Sequence, residues 1–401
     1  MKSQKTSFWK SLATSAILGI SALASNLHAE QAKPIENSEP KYSVRLRLEN
    51  NSGEQLNVFR STLGVAPFNE KGYNKGQEFL RIYNFTGRQN KKSVEYTNWG
   101  FSLPQFKIGD LENTVTLFGL TGDRNGFGVQ TKHTLGKWDL FLNTEKETLK
   151  DGDSKRIGLG LDYNAGGDIN PGIGFDRVET AKGITNYMFG KVVVNVTNTD
   201  QIGAGLSLAS GFDKTNTLAT YYMHHGPNEK WGTRTRTCYD WNNETDSSGL
   251  SFESIIVERP TFSRNASGPA VVGRSQGDLM SKQIVDAANL AIERVPLADR
   301  SKGGIISRVA GNFRDKAGIK SGYLEGDLGY SFKENDGIKP SAYGFYRTDF
   351  SDVKANEKKI IGASALFYIG KNWCIETTYN HPVSGNVKPS AYLGVQYIKT
   401  F

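Results

Sequence analysis

Residues 391–401 read AYLGVQYIKTF. Along an extended chain Leu393, Val395, Tyr397 and Phe401 fall on one side, and Gly394, Gln396, Ile398 and Thr400 on the other. Side chains of a strand alternate between its faces, so one face is greasy and the chain ends on an aromatic. The alternation recurs upstream. Ile157, Leu159, Leu161 and Tyr163 oppose Arg156, Gly158, Gly160 and Asp162. Ile202, Ala204, Leu206 and Leu208 oppose Gly203, Gly205 and Ser207. Leu324, Leu328, Tyr330 and Phe332 oppose Tyr323, Glu325, Asp327 and Ser331. A strand with charges on its second face cannot sit in a core that is dry on both sides. It fits a barrel that is apolar outside and wet inside. It equally fits a soluble sheet with one solvated face.

The other terminus narrows this choice. Residues 1–29 read as a secretory signal peptide. Lys2, Lys5 and Lys10 form the basic stretch, Leu12 to Ala24 the apolar one, and Leu27-His28-Ala29 or Ala22-Leu23-Ala24 precedes the cleavage point. The apolar run is shorter than the ~20 residues a membrane anchor needs. A signal peptide, alternating strands and a closing aromatic together resemble Gram-negative outer-membrane β-barrel proteins of the porin-like class. Lys399 departs from that pattern, where an apolar residue is usual. The resemblance implies that Leu393, Val395, Tyr397 and Phe401 form an assembly signal. It also implies outer-membrane lipid and the barrel assembly machinery as partners, with a homotrimer open as an assembly.

Bulk composition agrees. The 401 residues include 44 Gly, 21 Phe, 17 Tyr and 6 Trp. Aromatics favour sheets and glycine favours turns. A mean hydropathy of −0.48 argues against a bundle of membrane-spanning helices, but not against a barrel, where only alternate residues meet lipid. Loss of three lysines with the signal peptide leaves a mildly basic chain from a net charge of +8. Its charges are spread out, so no nucleic-acid partner is expected. Cys238 and Cys374 are too few for a disulfide framework, and export alone makes a bond between them permissible.

Taken in order, residues 30–40 read as a polar periplasmic lead-in, and 41–401 as an antiparallel all-β transmembrane barrel with a loop and helix insert at 259–318. Nineteen candidate strands emerge, the last five at 319–333, 338–350, 357–369, 372–381 and 389–401. Single-chain bacterial barrels use even numbers. The short turns at Leu135-Gly136-Lys137 and Thr199-Asp200 are therefore the suspected excess, and 16–18 strands are expected, with 14 as the lower bound. Read backwards from a periplasmic C-terminus, long outer loops alternate with short inner turns, and the insert lands on an outer connection. Within the insert, Met280, Ile284, Ala287, Ala291 and Val295 recur at helical spacing over 278–295, before Pro296. Such a helix either narrows the lumen or caps the rim.

If the apolar faces meet lipid, the charged faces meet the lumen. Arg45, Arg47, Lys132, Arg156, Arg234, Arg236 and Arg347 would then line a pore, with Asp139, Asp162, Glu325, Asp327 and Glu376. Rings of fixed charge set ion selectivity, and a cluster of Arg45, Arg47, Arg234 and Arg236 would favour anions. The alternative is that these bases pair with the acids and merely solvate the interior. His381, Ser384 and Asn386 lie together near Pro382 and Gly385. Outer-membrane phospholipases use such residue types, but here the stretch reads as an ordinary turn and the spacing differs. His224-His225 lacks a third metal ligand. The segment 162–168, DYNAGGD, resembles a calcium loop, but Ile173 stands where the bidentate Glu belongs. Trp99, Trp138, Trp231, Trp241 and Trp373 are candidates for aromatic girdles.

The sequence therefore leads to a porin-like channel for small hydrophilic solutes or ions, with no catalytic residue, metal or cofactor expected. Two rivals stay open: a barrel-borne hydrolase such as a phospholipase, and a soluble exported β-sheet binding protein.

Overall fold

The computed structural model describes residues 42–400, apart from 53–55, 66–79, 90–91, 104, 124, 150–151, 164–168, 198, 225–229, 260–302, 355–356, 371 and 386–387. The expected signal peptide, the lead-in and the 278–295 helix lie outside the described residues, as do the side chains of Arg45 and Arg47.

Among the described residues there are 21 strands in one antiparallel sheet. The first seven are β1 (Tyr42–Asn51), β2 (Leu56–Val65), β3 (Leu80–Gln89), β4 (Lys92–Ser102), β5 (Phe106–Ile108), β6 (Leu111–Gly122) and β7 (Asn125–Leu135). Next come β8 (Trp138–Leu149), β9 (Gly152–Tyr163), β10 (Ile169–Thr180), β11 (Gly183–Asn195), β12 (Asp200–Gly211), β13 (Asn216–His224) and β14 (Trp231–Asn242). The last are β15 (Ser247–Glu258), β16 (Gly304–Lys316), β17 (Ile319–Ser331), β18 (Ile338–Ser351), β19 (Lys358–Ile369), β20 (Trp373–Ser384) and β21 (Ser390–Thr400).

Strands pair with their neighbours in sequence, except that β4 and β5 both pair with β6, and β1 also pairs with β21, from Ser43 opposite Thr400 to Asn51 opposite Tyr392. Among the described residues the pairing thus runs once around a closed ring. Strands β4 and β5 lie end to end along β6, so the 21 strands make 20 staves of the wall, an even number. The expectation of 16–18 strands is corrected upward. The reason is local: β16 lies inside the stretch read as loop and helix. Restoring it brings the nineteen candidates to an even count, and the two suspected turns are real. At the first, Gly136 takes a φ of +59°, a left-handed conformation that glycine adopts without steric cost.

Closure also fixes which connections share an end. The start of β1 and the end of β21 lie at one end of the barrel, and the β15–β16 connection at 259–303 leaves from that same end. Counting without β16 had put the insert at the opposite end, on an outer loop.

Exposed apolar side chains occupy one face of most strands. They include Ile157 and Leu159 on β9, Ile173 and Phe175 on β10, Leu206 and Leu208 on β12, and Leu324 and Leu328 on β17. The other face buries polar groups: Asn143, Glu145, Arg156, Asp176, Gln201, Glu325, Asp327, Lys339 and Gln396. A soluble fold has the reverse order. A wall that is greasy outside and polar inside is what a bilayer solvent selects, with closure satisfying every ladder hydrogen bond. The inner face is not wholly polar, since Ile255, Val257, Ile306, Tyr343, Leu366 and Cys374 form an apolar patch.

Glycine abundance has a packing cause. Aromatic rings lie over glycines directly opposite on the next strand: Trp99 over Gly119, Phe118 over Gly128, Phe189 over Gly174 and Phe345 over Gly362. A Cβ at any of these glycines would collide with its ring. The tryptophans divide by height. Trp138, Trp231 and Trp373 each open a strand at the terminus-bearing end, and Trp138 and Trp373 pack against Tyr163 and Tyr397, both at 4.8 Å between centroids. Trp241 stacks on Tyr239 towards the opposite end. Trp99 lies within the wall against Phe127.

Candidate pore wall

The inward face is built by alternation, so its charges come every second residue on each strand and meet across strands or between positions two apart on one strand. From β14 to β19 they form one continuous belt. Arg236 donates to Glu253 at 2.9 Å, and Arg308 donates to the same carboxylate at 2.8 Å. Arg308 also reaches Glu325 at 2.6 Å and Asp327 at 2.8 Å. Arg347 lies 3.9 Å from Glu325 and donates to Asp349 at 2.6 Å, and Lys358 closes on Asp349 at 3.3 Å. The guanidinium of Arg347 also sits over the Tyr323 ring, 4.1 Å from its centroid. Arg308 is the hub, one cation holding three carboxylates from two flanking strands.

A second set lines β7 to β11. Lys132 pairs with Asp139 at 2.9 Å. Arg156 pairs with Asp176 at 2.7 Å and faces Glu145 at 3.8 Å, all three buried. Lys191 donates to Asp162 at 2.9 Å across an intervening strand. Gly172 lies between them in register, and any side chain there would fill the space the pair needs.

Each expected lumen residue with a described side chain lies on the inward face: Lys132, Arg156, Arg234, Arg236, Glu325, Asp327, Arg347 and Glu376, with Asp139 and Asp162. The structure favours pairing over free charge, since Lys132, Arg156, Arg236 and Arg347 each hold an acid. The expected arginine cluster is not formed. Strands β1 and β14 stand eight staves apart around the ring, so Arg45 and Arg47 do not adjoin Arg234 and Arg236. Sequence reading missed Arg308 and Glu253. The signal existed: Ile305, Val309 and Phe313 alternate with Ile306, Arg308 and Ala310, but paired glycines at 303–304 and the long polar stretch before them suggested loop.

The other candidates resolve simply. The 381–384 stretch is strand within β20, not turn. His381 stacks on Tyr379, and among the described residues no hydrogen bond joins it to Ser384. His224 donates through Nδ1 to Asp200 at 2.9 Å, beside Thr197, Thr199 and Tyr222, which donate to the same carboxylate. Among the described residues no group of His, Cys, Asp or Glu is arranged to hold a metal. Cys238 and Cys374 form no disulfide with each other.

A closed ring, an apolar exterior and a charged, paired interior are now in place. This is a closed antiparallel β-barrel, apolar outside and polar within. No family model matches the chain, and no curated protein matches it in sequence. Solved barrels of Pseudomonas aeruginosa are similar in fold. OccK10 (OpdN) shares 7% identity over 91% of this chain and 99% of its own, with a TM-score of 0.49. OpdQ shares 9% over 91% and 99%, at 0.48. The outer membrane protein OpdK shares 9% over 90% and 98%, at 0.47. The barrel assignment stands on the strand pairing and the two faces of the wall, independently of that likeness.

Proposed function

We propose that this barrel is a channel of the bacterial outer membrane, through which small hydrophilic solutes or ions diffuse passively. The observation that carries the reading is the charged inner face of a closed 20-stave ring. Rings of 16–18 strands leave an aqueous channel, whereas eight-stranded ones are filled by side chains. Lys132, Arg156, Arg234, Arg236, Glu325, Asp327, Arg347 and Glu376 are proposed to line the path, with Arg45 and Arg47 completing it on β1. Because most of these charges are paired, the channel would discriminate weakly between anions and cations. Export through residues 1–29 and insertion read from Leu393, Val395, Tyr397 and Phe401 belong to the same proposal.

Planar-bilayer recording tests it. Purified folded protein added to one side is expected to give stepwise, ohmic increases in current. Folded protein that never raises the current would overturn the channel. Release of the protein from membranes by alkaline carbonate would favour a soluble exported sheet instead.

A further inference from the structure

The lipid-facing side of the wall carries one arrangement that neither closure nor conduction explains. On β7, Thr131 and His133 are two residues apart and share the outward face with exposed Phe127 and Leu135. Directly opposite His133 on β6 lies Asn113, and opposite Asn113 lies Phe106 of β5. The break between β4 and β5 brings the Phe106 carbonyl within reach. Asn113 Nδ2 donates to that carbonyl at 3.3 Å and to the Leu111 carbonyl at 3.0 Å. Its Oδ1 is thereby turned to His133 Nδ1, 2.6 Å away. An amide oxygen can only accept, so in the neutral imidazole Nδ1 carries the proton and Nε2 keeps its lone pair. Nε2 faces the Thr131 hydroxyl at 3.0 Å. Hydroxyl, imidazole and orienting amide thus stand in one line with the tautomer that lets the imidazole accept the hydroxyl proton.

The surroundings are apolar. Val115 and Leu142 flank Thr131, and Leu140 flanks His133, on the neighbouring strands. Leucine or valine would serve a lipid-facing wall at lower cost than three polar side chains. An ionisable group placed there points to function, with its partner to be named.

We propose that Thr131, His133 and Asn113 form an acyl-transfer site on the outside of the barrel, acting on carboxylic esters of lipids that reach it laterally from the bilayer. Thr131 Oγ attacks the ester carbonyl, forming an Oγ–acyl bond while its proton passes to His133 Nε2. The acyl–oxygen bond of the ester breaks, and the leaving alcohol takes the proton from Nε2. Water, deprotonated by the same nitrogen, then cleaves the acyl-threonine and releases a fatty acid. Thr131 and His133 are the catalytic residues. Asn113 is a positioning residue that acts through the imidazole.

Full-length protein refolded into mixed micelles of phosphatidylcholine and detergent tests this, with folding checked by heat-shifted migration on gels. A long-chain alkyl fluorophosphonate is expected to label the peptide carrying Thr131, and the micelles to release fatty acid. Thr131→Val and His133→Ala should each lower release by roughly 100-fold or more, the scale of a lost nucleophile or general base. Thr131→Ser should keep it. Asn113→Leu should lower kcat while leaving KM in place, and Asn113→Asp should restore part of the rate. Absence of both adduct and release in the folded wild type would overturn the proposal. So would an adduct elsewhere, or release that survives Thr131→Val.

Discussion

Arg308 shows how one side chain can organise a wall. It donates to Glu253, Glu325 and Asp327 together, and its side chain is 19% exposed. Replacing it with Gln leaves three neighbouring carboxylates to repel one another, with the loss of charge-assisted hydrogen bonds worth about 1.5–3 kcal/mol. Arg308→Gln should therefore lower resistance to denaturant by that order. It should also make the channel more cation-selective, seen as a shift of the reversal potential in a potassium chloride gradient. An unchanged potential would separate the belt from the conducting path. At this scale the sequence was half legible. Alternation marked Lys132, Arg156, Glu325, Asp327 and Arg347 as inward, because an inward position depends only on parity along one strand. It could not say that these bases are paired, because pairing depends on register between strands, and register is set by turns and by cross-strand packing.

The strand is the unit at which bilayer and protein meet. Apart from the three residues of β5, strands run from 9 residues in β13 to 14 in β18, against the 9–11 that cross a bilayer when tilted. On β9 the outward Ile157 and Leu159 are exposed apolar groups, while Arg156 between the same neighbours is buried inside. Leu159→Arg should destabilise the barrel by about 2–4 kcal/mol if it sits near the bilayer midplane. Urea titration of protein refolded into lipid vesicles measures this, and a neutral outcome would mean that β9 faces water on both sides. Strand existence was widely legible, since period-two patterning survives the glycines. The exception was β16. Its pattern of Ile305, Val309 and Phe313 is as regular as that of β9, but glycines at 303 and 304 blurred its start. One missed strand then reversed the side to which the 259–303 connection was assigned, since each added strand swaps every connection before it. The aromatic–glycine pairs were not legible, because neither partner is informative alone: Trp99 and Gly119 are twenty residues apart and meet only through the β4–β6 register.

The whole molecule is defined by the pairing of its first and last strands. Leu48 on β1 stands between Phe59 on β2 and Val395 on β21. A hairpin contact such as Leu48 with Phe59 follows from the sequence, because two alternating runs flank the Asn50-Asn51-Ser52-Gly53 turn signal. The contact of Leu48 with Val395 spans the entire chain and follows only from closure. The even stave count and the shared end of the first and last strands depend on it, and the proposed channel requires it. In a background lacking Cys238 and Cys374, Leu48→Cys can be paired with either Phe59→Cys or Val395→Cys, and oxidative crosslinking measured in membranes. Disulfide formation in both pairs is the expected result. Crosslinking of the hairpin pair alone, with thiols at 48 and 395 remaining free in folded protein, would show that the ring is open and contradict the barrel.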